Sequence, residues 1–161
     1  MPKNEFAMNL DSTPTKIFIG IDGGGTKTNV SALDINNHLL FSETFGPTNL
    51  MTGTEFEDNL LTLFKKLIST LRKNVTAKFE FYISGGFSGI STMIRSEKRF
   101  KDIVKRATLG QGIDVGTLEF GSDALLALNV YFPDKPGLLL ISGTGSVCFG
   151  KNKEGEIFNT G

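Results

Sequence analysis

The chain has 161 residues, of which 39% are hydrophobic and 21% are charged, and equal numbers of basic and acidic residues give it a formal net charge of zero. This composition supports a buried core and excludes a wholly disordered chain. A neutral chain has no general attraction to nucleic acid or to an anionic membrane, and a single cysteine, Cys148, excludes a disulfide within the chain.

The first 16 residues are polar, and we expect them to form a flexible tail. They lack the apolar core of a secretion signal, and no apolar run in the chain approaches the ~20 residues that a membrane-spanning helix needs. We therefore expect a cytoplasmic protein that binds neither nucleic acid nor membrane. A homodimer is compatible with the sequence.

Three short strands are predicted next, over residues 16–22, 26–34 and 39–45. The first is a continuous apolar run, and the second alternates between apolar and polar residues. Because the turns between them are short, the three strands are expected to form an antiparallel meander. Residues 52–73 then predict a long amphipathic helix, since leucine and phenylalanine recur there at every third or fourth position.

The rest of the chain alternates strands with helices and then begins a second set of strands. In order, it predicts a strand over 78–86, a short basic helix over 91–107, a strand over 115–123, a helix over 123–132 and three further strands over 137–158. The order βββαβαβα followed by βββ predicts an α/β fold with a mixed five-stranded sheet, and a similar second lobe after it. We therefore divide the chain into a first lobe at 17–133 and the start of a truncated second lobe at 134–161, joined by a hinge at Pro133–Gly137.

The sequence IGIDGGGTKTNV at residues 19–30 places three glycines between the first two predicted strands. The spacing from Gly20 to Gly25 matches a P-loop, but Thr26 stands where that motif has its lysine. A dinucleotide-binding fingerprint fails as well, because Thr28 stands where its last glycine would be. Both motifs open a helix, whereas a strand follows this turn. The turn is therefore predicted to be a glycine-rich β-hairpin.

Such a hairpin can still bind phosphate through its backbone N–H groups, helped by Thr26 and Lys27. Asp22 ends the preceding strand, where it can hold Mg²⁺ directly or through water. The alternative is an ordinary glycine-rich hairpin with a solvated aspartate. A second turn favours the phosphate interpretation, because LLLISGTGSV at residues 138–147 repeats the arrangement in the second lobe. Two equivalent turns, one in each lobe, would hold a polyphosphate from both sides.

Five motifs occur in order along residues 17–161: IGIDGGGTKT, GPTN at 46–49, SGGFSG at 84–89, SDALLAL at 122–128 and ISGTGS at 141–146. Together they resemble the N-terminal half of the N-acetylglucosamine kinase and BadF/BadG/BcrA/BcrD ATPase family, in the sugar kinase, Hsp70 and actin superfamily. The resemblance implies a ribonuclease H-like fold with ATP and Mg²⁺ between two lobes. It further implies phosphoryl transfer to a hydroxyl of an amino sugar, such as N-acetylglucosamine or glucosamine. We expect the 161-residue chain alone to be nearly inactive.

The resemblance also implies roles for individual residues. Asp123 matches the catalytic aspartate that accepts the proton of the sugar hydroxyl, although from the sequence alone either Ser122 or Asp123 would cap the following helix. The implied phosphate-binding residues are Gly23, Gly24, Gly25, Thr26 and Lys27 in the first turn and Gly143, Thr144 and Gly145 in the second. The implied sugar-binding residues are Asn49, Gly86, Asp123, Ser146 and Val147. Without the resemblance, Asn49 is equally well read as a turn residue after Pro47.

One position departs from the family pattern. Animal N-acetylglucosamine kinases carry an asparagine at the position of Val147, and its amide helps to bind the sugar. The departure argues against N-acetylglucosamine itself and leaves glucosamine or another sugar as the acceptor.

Three other functions compete with a sugar kinase. An ATPase activator of a 2-hydroxyacyl-CoA dehydratase or benzoyl-CoA reductase would hold an iron–sulfur cluster with cysteines, and this chain has only Cys148. A ribonuclease H-like nuclease would use Asp22 and further carboxylates for two metal ions, but it would need no nucleotide-phosphate turns. A non-catalytic sugar-binding lobe is the third. His38 and the basic run from Arg95 to Arg106 are interpreted as solvated surface, and Cys148 as core filling.

Overall fold

The computed structural model describes residues 13–48, 55–74, 78–88, 93–142 and 146–160. None of the helices within these ranges is long and apolar enough to cross a membrane. Residues 1–12 of the predicted tail lie outside them, while Thr15 and Lys16 already belong to the first strand. The division of the chain into a tail and two lobes stays a prediction.

The first part of the chain forms the predicted five-stranded mixed sheet. Its strands, in the order in which they lie side by side, are β3 (Leu39–Phe45), β2 (Thr28–Leu33), β1 (Thr15–Gly23), β4 (Phe79–Phe87) and β5 (Ile113–Ser122). Strand β2 is antiparallel to both of its neighbours, β3 and β1, whereas β1, β4 and β5 run parallel. The predicted fold class is therefore confirmed.

Helices α1 (Glu55–Asn74) and α2 (Met93–Thr108) cover one face of this sheet. Alternate residues of the strands point to that face because side chains of a strand point to opposite sides in turn. The predicted apolar stripes of both helices are fully or almost fully buried against these residues. The stripe of α1 consists of Phe56, Leu60, Leu63, Phe64, Leu67 and Leu71, and that of α2 of Phe100, Ile103 and Val104.

The basic face of α2 is a solvated helix surface that pairs partly with acidic neighbours. Arg99 and Arg106 both form ion pairs with Glu57 of α1, and Lys101 pairs with Glu97 one turn away. The hydrogen bond from Arg106, opposed in part by desolvation, lowers the pKa of the Glu57 carboxyl. These contacts link the exposed edges of the two helices.

Helix α3 (Asp123–Tyr131) follows β5 and leads to a second, three-stranded antiparallel sheet. The strands of this sheet are β6 (Gly137–Ser142), β7 (Ser146–Lys151) and β8 (Ile157–Thr160). The ammonium of Lys151 donates hydrogen bonds to the Asn129 side chain (3.3 Å) and to the carbonyl of Pro133 (3.1 Å), which fastens the sheet to the end of α3. Several apolar side chains of the sheet are exposed, among them Leu138 and Leu140.

Two isolated polar features have local roles. His38 is 74% exposed and contacts Asp34 within the turn between β2 and β3, at 3.0 Å from Nδ1 to Oδ2. The His38 backbone N–H donates to the same carboxyl and contributes most to lowering the pKa of Asp34. Cys148 is a half-buried thiol in β7.

Candidate active site

The sheet face opposite α1 and α2 carries a row of aligned residues, one from each strand. In register across the sheet these are Thr44 of β3, Asn29 of β2, Asp22 of β1, Gly86 of β4 and Gly121 of β5. Residues opposite one another in paired strands share a face, so three polar side chains and two side-chain-free positions form one continuous strip. The strip ends beside the start of α3.

Gly86 lets α3 approach the sheet closely at this point. A Cβ atom added to Gly86 would lie 3.1 Å from the Cα of Asp123 and 3.0 Å from a methyl group of Leu126. Any larger residue would therefore have to push the first turn of α3 away from β4. Gly86 was predicted to contribute to the sugar site, and its observed neighbour is the predicted catalytic aspartate.

The cap of α3 is Ser122, which leaves Asp123 without a capping role. Ser122 is extended, and its hydroxyl accepts a hydrogen bond from the backbone N–H of Leu125 at 3.1 Å. Among the described residues, Asp123 accepts a hydrogen bond only from the N–H of Ala124, at 2.8 Å, and Asp123 is exposed. The sequence left open which of the two residues caps the helix, and the geometry assigns that role to Ser122.

A cleft of about 730 Å³ lies above the strip and brings Asp22, Gly86 and Asp123 together. Further polar residues that the sequence analysis did not single out also line it, among them Asn29 and Glu119. Asn29 alternates with the buried residues Thr28 and Val30, and Glu119 alternates with the partly buried Leu118 and Phe120, so that they share a face with Asp22 and Gly121 respectively. Following that alternation along β2 and β5 is the sequence signal that would have found them.

The first glycine turn, residues 24–27, lies next to this cleft and is anchored on three sides. The Gly24 N–H donates to the carbonyl of Lys27 at 2.9 Å and closes the hairpin. The carbonyl of Gly24 accepts the N–H of Thr48 at 3.2 Å, and that of Gly23 accepts the N–H of Ser88 at 2.8 Å. These hydrogen bonds hold the turn in place without using the N–H groups at its tip.

The N–H groups at the tip of the turn are available to a ligand. The N–H groups of Gly25, Thr26 and Lys27 have no acceptor among the described residues, and all three residues are exposed. Three successive unpaired amides at the end of a strand form a site that suits an anion. Lys27 adds a positive charge next to them.

Close packing explains the glycine at position 23, which directly precedes the turn. A Cβ atom on Gly23 would lie 2.2 Å from the ring of Phe87 and 2.4 Å from the hydroxyl of Thr48. The backbone angles of Gly23, Gly24 and Gly25 are not in the left-handed region, so contact with the core, and not the hairpin conformation, requires glycine at position 23.

Two buried threonines connect the glycine turn to the segment that precedes Asn49. The hydroxyl of Thr28 donates to the carbonyl of Gly46 at 2.8 Å, and both Thr28 and Thr48 have no exposed surface. Since its single proton is used there, Thr28 accepts from the Thr48 hydroxyl, also at 2.8 Å. Asn49 itself lies outside the described residues, and its predicted contact with sugar stays a prediction.

The second glycine turn is only partly described. Gly143, Thr144 and Gly145 lie outside the described residues, while Ser146 and Val147 begin β7 and pair with Ser142 and Ile141. Neither Ser146 nor Val147 lines the 730 Å³ cleft. The second half of the predicted phosphate clamp therefore stays a prediction.

The fold defines the class of the chain, an α/β lobe with the ribonuclease H-like fold that actin-like ATPases and sugar kinases share. No family model matches the chain. In sequence it is similar to the N-acetylmuramic acid/N-acetylglucosamine kinase of Clostridium acetobutylicum, with 32% identity over 149 residues, which are 91% of this chain and 46% of the relative. It is also similar to the N-acetyl-D-glucosamine kinase of Dictyostelium discoideum, with 31% identity over 87% of this chain and 45% of the relative.

These relatives confirm the resemblance to N-acetylglucosamine kinases, and the chain spans about half the length of each. Solved structures show the same fold. A proposed N-acetylglucosamine kinase from Chromobacterium violaceum superimposes with a TM-score of 0.62 at 20% identity, over 90% of this chain and 48% of its own. The ethanolamine utilization protein EutJ from Carboxydothermus hydrogenoformans superimposes with a TM-score of 0.56 at 12% identity, over 92% and 53%.

Proposed function

We propose that the protein is an ATP-dependent sugar kinase that phosphorylates a hydroxyl of an amino sugar, with this chain supplying part of its active site. The observation that carries the proposal is the shared cleft, in which the carboxylates of Asp22 and Asp123 lie on either side of the side-chain-free position at Gly86. The names of the sequence relatives, which are N-acetylglucosamine kinases, supply the substrate class.

Asp123 is proposed to be the general base. Transfer of a phosphoryl group to a hydroxyl needs little covalent assistance, but it needs a carboxylate that takes the hydroxyl proton. Within the part of the chain that the structure describes, the exposed carboxylate of Asp123 has one backbone partner, so it retains acceptor capacity for a sugar hydroxyl. Its place at the first residue of α3 fixes its position relative to the sheet.

The first glycine turn is proposed to bind phosphate groups of ATP. The free amides of Gly25, Thr26 and Lys27 supply fixed partial positive charge, and the Lys27 ammonium supplies a full one. On the opposite side, Gly143, Thr144 and Gly145 are proposed to make the matching contacts. The two lobes would then hold the polyphosphate between them.

Asp22 is proposed to hold Mg²⁺, directly or through water. The described residues contain no group of three or more side chains that could form a protein cage for a metal ion. A single carboxylate such as that of Asp22 suits Mg²⁺, which commonly uses one or two carboxylates together with water and substrate phosphates. Bound there, the ion would neutralise charge on the transferred phosphoryl group.

The sugar is proposed to contact Asn49, Gly86, Ser146 and Val147 as well as Asp123. Val147 is half-buried and offers no hydrogen-bonding side chain, so any selectivity for an acetamido group must come from elsewhere. Glucosamine, N-acetylglucosamine and N-acetylmuramic acid are therefore the acceptors to compare.

The direct test is sugar-dependent release of ADP by the full-length gene product. The assay would contain Mg²⁺ and ATP with each amino sugar in turn, and glucose and a no-sugar sample would serve as controls. We expect at least one amino sugar to raise ADP release well above the no-sugar rate and to yield a sugar phosphate by mass spectrometry. Release that is the same with and without every sugar would contradict the kinase proposal.

A further inference from the structure

Asn29 lies between Asp22 and Thr44 in the row that crosses the sheet, and its side chain contacts both. The Asn29 Nδ2 atom donates to Oδ2 of Asp22 at 3.5 Å, and the Thr44 hydroxyl donates to Oδ1 of Asn29 at 3.0 Å. The strand register places the three residues directly opposite one another on β1, β2 and β3. Two separate observations, pairing and hydrogen bonding, thus describe one linear array.

The array has a direction that follows from its hydrogen bonds. The two ends of an amide differ, since one accepts and the other donates. Because Thr44 donates to the oxygen of Asn29, the NH₂ group of Asn29 must face Asp22. Asn29 contacts only Oδ2 of Asp22, and no other described residue hydrogen-bonds to that carboxylate. One oxygen of the Asp22 carboxylate is therefore held by Asn29, and Oδ1 has no hydrogen-bond partner among the described residues.

A neighbouring pair shows that strand pairing alone does not require this arrangement. Two residues further along, Ser31 and Ser42 face each other across β2 and β3 at 3.4 Å. The residue of β1 opposite Ser31 is Gly20, which has no side chain to orient. The same two strands therefore pair through small hydroxyls where there is no carboxylate beside them.

We propose that Asn29, itself held by Thr44, is a positioning residue that fixes the Asp22 carboxylate for binding of a divalent cation–nucleotide complex. This inference rests on the proposed kinase function. Partners that hydrogen-bond to a metal-binding carboxylate orient it, and their loss weakens metal binding even though they never touch the ion. Thr44 acts one step further away, through the amide of Asn29.

The test measures metal binding and needs no turnover. Mn²⁺ replaces Mg²⁺, and its binding to the full-length gene product with a non-hydrolysable ATP analogue is followed by water-proton relaxation. Asn29→Ala is expected to weaken Mn²⁺ binding about tenfold, at the lower end of the effect of losing such a partner. Thr44→Val should weaken it less, and Thr44→Ser, which keeps the hydroxyl, should restore the wild-type value.

A double variant and a matched control separate positioning from general damage to the sheet. Because Thr44 acts through Asn29, the double variant Asn29→Ala/Thr44→Val should bind Mn²⁺ no more weakly than Asn29→Ala alone. Ser42→Ala removes the neighbouring hydroxyl of β3 and should bind as the wild type does. Thermal unfolding of each variant verifies that it is folded.

Three outcomes would overturn the inference. Wild-type affinity in a folded Asn29→Ala variant would refute it while leaving the proposed kinase function intact. A Ser42→Ala effect as large as that of Thr44→Val would show that any polar loss on this face weakens the site. If the wild type itself binds no Mn²⁺ with the analogue, the proposed function fails and the inference fails with it.

Discussion

The two faces of the five-stranded sheet are built from alternate residues of the same strands, yet they have opposite characters. The face under α1 and α2 is closed by large apolar side chains with almost no exposed surface. The other face carries the strip from Thr44 to Gly121 and an open cleft. If the open face binds the ligands as proposed, the alternation separates residues for stability from residues for ligand contact, and substitutions on the two faces should have separable effects.

Strand β4 shows the difference between the two faces at two consecutive residues. Gly86 faces the cleft, and Phe87 faces the core. The Phe87 ring packs against those of Phe56, Phe100 and Phe120, with centroids 5.6, 5.3 and 5.1 Å away. It also fills the space next to Gly23, so the first glycine turn rests on the aromatic core.

The largest effect is expected on the open face, from Asp123→Asn. The amide cannot accept the hydroxyl proton, so turnover should fall about 10³-fold, within the range for a general base. The exposed side chain is not the helix cap, so the thermal midpoint should stay close to that of the wild type. Steady-state ADP release and nucleotide binding by calorimetry would check both statements. A variant that keeps the wild-type rate would remove Asp123 from the chemistry.

On the covered face, Phe87→Leu should act on stability. Replacing a fully buried ring by a smaller side chain leaves a cavity, and we expect a loss of about 2 kcal/mol in the free energy of unfolding. Urea denaturation followed by circular dichroism would measure it. At a temperature where the variant is folded, turnover should fall much less than in Asp123→Asn. An equal fall in turnover would show that the two faces are not separable at β4.

Gly86→Ala tests the close approach of α3 to the open face of the sheet. The new methyl group would press on the Cα of Asp123 at 3.1 Å and should displace the start of α3 by a few tenths of an ångström. Because such displacements of a catalytic group are costly, we expect turnover to fall about tenfold. The matched control is Gly121→Ala in the same row, whose added atom would meet Leu126 at an ordinary 3.9 Å. The measurement is kcat for both variants, and a larger loss for Gly121→Ala than for Gly86→Ala would contradict this prediction.

The sequence was sufficient for the elements and the sheet because their patterns are local. Periodicity predicted α1 and α2, and the strand that follows the glycine turn ruled out a P-loop. The choice between Ser122 and Asp123 as helix cap needed coordinates, since both residue types cap helices. The role of Asn29 was also out of reach, because it depends on the register of three strands and not on neighbouring residues.

The smallest effect is expected at the outer edge of the covered face, where Glu57 of α1 pairs with Arg106 and Arg99 of α2. These arginines lower the pKa of Glu57 below its ordinary value of 4.5, with the Arg106 hydrogen bond as the main cause. A carboxyl whose pKa is lower in the folded state stabilises the fold above its unfolded pKa, and this stabilisation disappears as the pH falls through the folded value. The pairs are partly solvated, so the contribution is small.

Glu57→Gln should therefore lower the thermal midpoint by roughly 2 °C near pH 7, and the difference from the wild type should shrink as the pH falls below about 4.5. Scanning calorimetry at several pH values would measure it, and Arg106→Gln should reproduce the trend. Turnover near neutral pH should stay unchanged, because Glu57 lies across the sheet from the cleft. A difference that persists at pH 3 would mean that Glu57 stabilises the helices through packing and not through its charge.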